Sequence, residues 1–383
     1  MKVCFFGTYR KGYNRNNIVL SSMEAAGIEI IECHEKLWDS IEDRVNVTKG
    51  GWLKPKFWLR VAKTYFHLLK KFKKIGDFDV LMTGYPGQFD VFVANRLAKK
   101  RKTPLVSDVL MSLYVVAMER GLDKSKINAV KLIEYFEKIS YRKPTLLIHD
   151  TQPYSQWLSD HFDIPINKIR LVPTGADETI FKPSPISTNG GGNFTVLFYG
   201  TFIPNHGLGL IASAMDLLRE EDKIKFLFIG DGPEKEMLVR HVQESKLKNV
   251  EFVGWVDQEK LVEYIQRADL CLGAFGSTLQ SLITVHNKVY ESMACGKAMV
   301  TGKSPAIEAQ FVNRREILYC ERTPEDIANA ILEVYNNPQL KKSLEKNSRE
   351  RFVCEFSLIA QGNKIEGYLN EALAIYAANS RGR

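Results

Sequence analysis

Phe228-Ile-Gly-Asp-Gly-Pro-Glu234 runs an apolar segment into two glycines around an aspartate, then into proline and glutamate. Glycine lets one backbone approach a ligand or another loop closely, and proline followed by acidic residues suits the first turn of a helix. The stretch reads as strand, turn, helix, with the helix over Pro233–Gln243. Free N–H groups at such a helix start favour an anion or a polar edge. A tight turn that needs glycine for geometry alone has the same sequence, so the turn decides architecture and leaves the ligand open.

The same grammar repeats on both sides. Apolar runs at Lys2–Phe6, Ile28–Ile31, Val80–Met82, Leu105–Val106, Leu146–Ile148 and Ile169–Val172 alternate with longer amphipathic stretches. A second set comprises Thr195–Tyr199, Phe226–Ile229, Val250–Phe252, Leu270–Leu272, Ala298–Thr301 and Ile317–Tyr319. Short apolar runs alternating with helix-period segments argue for parallel sheets built from βαβ units. Further helices are expected over Gly207–Glu221 and over Val289–Cys295, the latter ended by Gly296 as C-cap. Loops at the carboxyl ends of parallel strands are where open α/β sheets bind ligands.

A chain of 383 residues exceeds what one hydrophobic core holds, so two domains are expected. The stretch Lys182-Pro-Ser-Pro-Ile-Ser-Thr-Asn-Gly-Gly-Gly-Asn193 is the most loop-like and reads as their connection. The expected division is residues 1–182, a linker at 183–193, a second domain at 194–355, and C-terminal helices at 356–383.

Hydrophobic content of 45% and charged content of 26% are those of a globular protein, and no apolar run reaches the ~18 residues of a membrane span. Met1–Thr8 reads as a strand with no signal peptide before it. Six scattered cysteines without a CxxC pair argue against disulfides and structural zinc, and for a reducing cytoplasm.

The net charge of +8 has a local source. Between Lys49 and Lys74 lie eight lysines and one arginine with no acidic residue; the other 44 basic residues face 45 acidic ones. Within Pro55–Lys74, Lys56, Arg60, Lys63, His67, Lys70 and Lys74 form one helical stripe, and Trp58, Val61, Tyr65, Leu68 and Phe72 form another. The pattern suits an interfacial helix on an anionic membrane, with contacts from Trp52, Lys56, Trp58, Arg60, Lys63 and Lys70. The expected location is the inner face of the cell membrane. A helix packed on a sheet with a solvated basic face is the alternative; no nucleic-acid-binding motif accompanies the charge.

Two more stretches carry candidate chemistry. Tyr199-Gly-Thr-Phe-Ile-Pro-Asn-His-Gly207 resembles a phosphate cradle but is neither a Walker A sequence nor GxGxxG. Its His206 could donate to a phosphate or be an exposed loop histidine. In Asn287-Lys-Val-Tyr-Glu-Ser-Met-Ala-Cys-Gly296, Lys288 and Glu291 share a helix face. They would offer a cation for a diphosphate and a carboxylate for ribose hydroxyls; a surface ion pair has the same spacing. Asp108 and Asp150, each at a strand end, are candidate cleft carboxylates, with turn or N-cap roles as the alternative.

The order of these motifs resembles that of the family 4 retaining glycosyltransferases, which have the GT-B fold. The resemblance starts at Arg170-Leu-Val-Pro-Thr-Gly-Ala-Asp-Glu-Thr-Ile-Phe-Lys-Pro183 and continues through the Tyr199–Gly207 loop, Gly230-Asp-Gly-Pro-Glu234 and Val250-Glu-Phe-Val-Gly254. It runs on through Ala268-Asp-Leu-Cys-Leu272, Asn287–Gly296 and Pro324-Glu-Asp-Ile-Ala-Asn-Ala-Ile331. Cys4-Phe-Phe-Gly-Thr-Tyr9, Arg15-Asn16 and the region of Asp108 and Ser112 match more faintly.

The resemblance implies two Rossmann-like, doubly wound α/β domains facing across a cleft, with C-terminal helices returning to the first. It implies a nucleoside-diphosphate sugar donor of UDP or GDP type, a hydroxyl acceptor and retention at the anomeric carbon; the basic segment makes a lipid-linked acceptor the expected one, in surface polysaccharide or glycolipid assembly. Glu291 would bind the ribose, Gly230 and Gly232 would lie against the nucleotide, and Gly200 would face the diphosphate. Thr201, His206, Asn287 and Lys288 would complete the donor site, and Arg10, Gly12, Arg15 and Asp150 the acceptor or phosphate side. The chain departs from the family where it has Ile283 for a glutamate, Thr201 for an arginine and His206 for a lysine. Lys288 is the expected substitute cation, and with Asp108 the expected catalytic pair. Neither a metal nor another cofactor is expected to be required. An epimerase on the same fold and a non-catalytic partner subunit stay open, as do the donor sugar, the base, the acceptor and the oligomeric state.

Overall fold

The computed structural model describes residues 1–37, 54–119, 121, 129–184 and 192–381. The chain divides into two units, Met1–Pro173 with Gln361–Arg383, and Thr174–Ala360. The first contains β1 (Lys2–Gly7), α1 (Asn14–Ala25), β2 (Glu29–His34), α2 (Pro55–Phe72), β3 (Val80–Thr83), α3 (Asp90–Arg101) and β4 (Leu105–Asp108). After these come α4 (Leu113–Glu119), α5 (Ala129–Tyr141), β5 (Leu146–His149), α6 (Gln152–Phe162) and β6 (Ile169–Leu171). Its strands pair in parallel in the order β2-β1-β3-β4-β5-β6.

The second unit begins with β7 (Phe194–Tyr199), α7 (Leu208–Leu217), β8 (Ile224–Ile229), α8 (Lys235–Glu244), β9 (Val250–Val253), α9 (Gln258–Arg267) and β10 (Leu270–Leu272). It continues with α10 (Leu279–Ile283), α11 (Asn287–Ala294), β11 (Met299–Gly302), α12 (Pro305–Gln310), β12 (Leu318–Cys320), α13 (Pro324–Asn336) and α14 (Pro338–Glu355). The order β12-β11-β10-β7-β8-β9 reverses direction between β7 and β10. In such a sheet the crevice beyond the carboxyl ends of the strands at the reversal binds ligands. That places the Gly200–Gly207 loop and the Gly273–His286 segment at the expected spot.

Parallel strands covered on both faces are apolar throughout. On β7, Val196 and Phe198 enter one core cluster while Leu197 and Tyr199 enter another. The alternation is the two-residue period of a strand whose two faces are both packed. Side-chain caps start two of the helices: Thr151 accepts from the Tyr154 N–H at α6, and Thr323 from the Asp326 N–H at α13, each with a proline in the first turn.

The last helix, α15 (Leu358–Arg381), returns the chain to the first unit, where Ile365, Leu369 and Ala372 pack with Val3, Phe5 and Val19. The expected C-terminal helices are thus one helix there, since α14 belongs to the second unit. The division also falls earlier than the linker expected at 183–193. Ala176 and Phe181 lie in the core of the second unit, which draws residues 174–182 into it; residues 185–191 lie outside the described chain.

α2 corrects one expectation. The stripe Trp58, Val61, Tyr65, Leu68 and Phe72 was assigned to a lipid boundary, but Leu68 and Phe72 are buried against Phe6, Phe78 and Leu81. Tyr65 donates a 2.6 Å hydrogen bond to Asp90 Oδ1. From Tyr65 onward this stripe holds the helix on the sheet, because an amphipathic helix beside a sheet buries its longest apolar line. Lys56, Lys63 and Lys70 are exposed, Arg60 is part-exposed beside the Phe57 ring, and Trp58 is exposed. Trp52 lies outside the described residues.

Candidate functional site

The strand β7 ends at Tyr199, and Gly200 follows with φ 128°, a conformation that side chains disfavour. Gly230, after β8, also has φ 128°, and a Cβ there would stand 2.0 Å from the Gly200 carbonyl oxygen. At Gly232 a Cβ would stand 2.6 Å from Phe202 O. The Gly230-Asp-Gly232 turn therefore needs glycine to pack against the 200–202 backbone. Its glycines shape the floor of the site.

The loop Gly200–Gly207 opens α7, whose first turn carries no side-chain cap, leaving backbone N–H groups for a ligand. Phe275 N–H donates to the His206 carbonyl at 3.0 Å, fastening the loop to the segment that follows β10. Arg322 fastens that segment from the other side, donating to Gly276 O and to Ser281 Oγ. Thr201 is exposed at the loop's edge.

Lys288, in the first turn of α11, is only 5% exposed. Among the described residues its Nζ has no hydrogen-bond acceptor. The ammonium lies 3.8 Å from the centroid of the Phe198 ring and 3.6 Å from where a Cβ on Gly200 would stand. Tyr199 Oη donates to the Lys288 carbonyl at 3.1 Å, tying the helix start to β7. Burial pulls the Lys288 pKa well below the lysine range, and the neighbouring Glu291 opposes this. Glu291 is part-exposed; loss of hydration raises its pKa, opposed by the Tyr199 hydroxyl and Lys288. A buried cation without a partner is costly, so the site favours an anion that would restore its charge. Asn287 starts the same helix, so the Asn287–Glu291 spacing does bring Lys288 and Glu291 together.

His206 is corrected. Its Nδ1 is 2.5 Å from the Thr201 carbonyl oxygen, which can only accept, so Nδ1 carries the proton. Burial, Lys288 and His286 all push its pKa far below the ordinary value. A neutral ring leaves Nε2 as an acceptor, unable to donate to a phosphate.

Asp108 and Arg15 are corrected too. The Arg15 guanidinium meets Asp108 Oδ1 at 2.9 Å through Nη2, and its Nη1 donates to Val172 O and Pro173 O. Both are buried, so the pair stitches α1, β4 and the end of β6 together, and neither group is available as a free cleft residue. Asp150 is buried beside His149, whose Nδ1 accepts from the Asp150 N–H at 2.8 Å. Arg10 is part-exposed beside the Tyr13 ring, and Gly12 is exposed with φ 79°. These two follow β1 at the first unit's own strand reversal.

Sequence reasoning missed Phe198, His286 and Arg322. His286 precedes α11 without a side-chain cap bond and its ring stands 5.0 Å from that of His206, while burial and the adjacent cations push its pKa down to about 3. The aromatic at Phe198, one residue before the Tyr199–Gly200 step, was visible as a strand residue but not as the bed of a cation. Among the described residues no group of three His, Cys, Asp or Glu side chains could hold a metal ion.

Residues 193–337 match the family model described as glycosyl transferases group 1. This stretch is similar to a group 1 glycosyltransferase domain. The domain spans β7 to α13 and contains every donor-side residue named above. Over 345 residues the chain is 25% identical to the O-antigen chain mannosyltransferase C of Escherichia coli, covering 81% of this chain and 80% of that one. It is 31% identical over 163 residues to the alpha-monoglucosyldiacylglycerol synthase of Streptococcus pneumoniae, 39% of this chain and 35% of that enzyme. The match to glycosyltransferase MJ1178 of Methanocaldococcus jannaschii, 25% identical over 42% of this chain, spans 43% of that protein's length.

Among solved structures, sucrose-phosphate synthase of Thermosynechococcus elongatus superposes with a TM-score of 0.74 at 16% identity, covering 98% and 99% of the two chains. Anabaena HepE in complex with UDP gives 0.70 at 15% identity, covering 97% and 100%. These likenesses show the fold, two parallel-sheet Rossmann-like units of the GT-B class.

Proposed function

We propose that the protein transfers a sugar from a nucleoside-diphosphate sugar to a hydroxyl of a lipid-linked acceptor, with retention at the anomeric carbon. The observation that carries the reading is the buried Lys288 ammonium, without an acceptor among the described residues, beside the Gly200–Gly207 loop. Glu291, on the same helix face, is the partner for ribose hydroxyls, which accounts for a nucleotide rather than an inorganic anion. Support also comes from relatives named as mannosyl- and glucosyltransferases and from the UDP held by a protein of this fold.

In this reading the bond between the anomeric carbon and the diphosphate oxygen breaks first. The charge that develops on that oxygen meets Lys288 and the open N–H groups of α7, which are aligned before the reaction and need no reorganisation. The acceptor oxygen then bonds to the same face of the sugar, and its proton passes to the departing phosphate oxygen. The reading assigns leaving-group charge to these donors and not to a metal. Its lipid acceptor places the enzyme at the cytoplasmic face of the membrane; a relative named for diacylglycerol glycosylation supports that side of it.

The test is donor turnover with UDP- and GDP-sugars, with and without a lipid acceptor. Nucleoside diphosphate release that depends on the lipid, with a product of retained configuration, is expected. Isomerised donor without transfer would make the chain an epimerase, and binding without turnover would make it a partner subunit.

A further inference from the structure

Several exposed apolar residues of the first unit lie on neighbouring elements. On α2, Trp58, Leu59 and Phe66 face solvent, the last two 71% and 66% exposed. Leu59 and Phe66 are offset from the stripe that buries Leu68 and Phe72, and Trp58 is the exposed first residue of that stripe. The Tyr65–Asp90 hydrogen bond brings the start of α3 against the middle of α2. Phe89, just before α3, is exposed as well, and its ring lies 6.2 Å from Phe136 on α5. There Phe136, Tyr135 and Leu132 are exposed, Tyr135 by 60%. Single apolar residues on a surface are ordinary, but a group spread over α2, the residue before α3 and α5 is not.

Cations accompany the band. Lys56, Lys63 and Lys70 are exposed along α2, and Lys131 lies one turn before Tyr135 on α5. No acidic residue occurs between Lys54 and Lys74. A protein-binding surface of this apolar content would be poor in lysine at its centre, whereas a headgroup layer takes aromatic rings and lysines together.

We propose that this band across α2, α3 and α5, and not α2 alone, docks on an anionic lipid bilayer. The proposal rests on the lipid-acceptor reading above and names the surface that would serve it. Tryptophan, tyrosine and phenylalanine enter the headgroup layer, and the lysines meet lipid phosphates. Each lysine near such a surface adds an attraction that screening by salt reduces.

The test is co-sedimentation with phosphatidylcholine vesicles, pure or containing phosphatidylglycerol. Wild type is expected on the anionic vesicles only and to leave them as salt rises. Phe89→Asp with Tyr135→Asp changes no lysine and no α2 residue, and it should lower the partition coefficient by about tenfold or more, since two charges replace buried aromatic anchors. Tyr135→Asp alone serves if the double variant fails to fold, as judged by thermal unfolding and UDP calorimetry. Undiminished binding of these variants, or no binding of wild type to either vesicle, overturns the proposal. Transfer to a detergent-solubilised lipid without vesicle binding would leave the function standing and remove the surface. Vesicle binding through the band without transfer to lipid would do the reverse.

Discussion

The Arg15 guanidinium and the Asp108 carboxylate lie 2.9 Å apart with side chains 1% and 0% exposed. Removing one partner of such a pair strands a charge away from water. Asp108→Ala should destabilise the first unit by about 3–5 kcal/mol. Arg15→Met with Asp108→Leu should recover much of that loss, which urea denaturation of the single and double variants will show. Equal losses in all three variants would mean that the pair matters only for packing.

Glu291→Ala should weaken the binding of UDP or GDP by about 1.5–3 kcal/mol, the usual worth of a hydrogen bond to a charged group. Titration calorimetry on the folded variant measures it. Unchanged affinity would take the ribose away from Glu291.

Lys288 gives the donor site a pH dependence. In the free protein its pKa is held down by burial, and a bound diphosphate favours the charged form. Binding should therefore take up a proton, and affinity should fall as pH rises through the lowered pKa. Lys288→Met should abolish the proton uptake, seen as calorimetric heats that no longer depend on the buffer, and lower kcat by on the order of a hundredfold. A variant that kept both would locate the cation elsewhere.

Gly230 and Gly12 make a matched comparison. Both have positive φ, but a Cβ on Gly12 meets nothing within 4 Å, whereas one on Gly230 would strike Gly200 O. Gly12→Ala should cost about 1–2 kcal/mol of stability from backbone strain alone. Gly230→Ala should cost more and also weaken nucleotide binding, because the 200–202 backbone must move. Thermal unfolding with and without UDP separates the two effects.

The strands were legible because parallel β-structure buried on both faces leaves uninterrupted apolar runs, as at Val80–Met82 and Phe226–Ile229. The Lys288–Glu291 face was legible from helical spacing alone. Long-range pairings were not: Arg15 and Asp108 are 93 positions apart, and nothing local marks either as the other's partner. α2 shows a subtler limit. Its period revealed one apolar line, but which part of it the sheet would take depends on Phe6, Phe78 and Asp90, residues from three other segments. His206 was misassigned because its role is set by a carbonyl five residues away, which fixes the tautomer.

Phe198 and Tyr199 are neighbours on β7 and point to opposite faces of the sheet, yet both serve Lys288, one beneath its ammonium and the other on its carbonyl. The strand thus works as a gauge that sets where the charge stands. A one-residue insertion in β7 would exchange the two aromatics and misplace the lysine's backbone and its charge in a single event. Anyone diversifying this site for new donors can vary the exposed edge at Thr201 freely, but has to carry the Phe-Tyr-Gly register through unchanged.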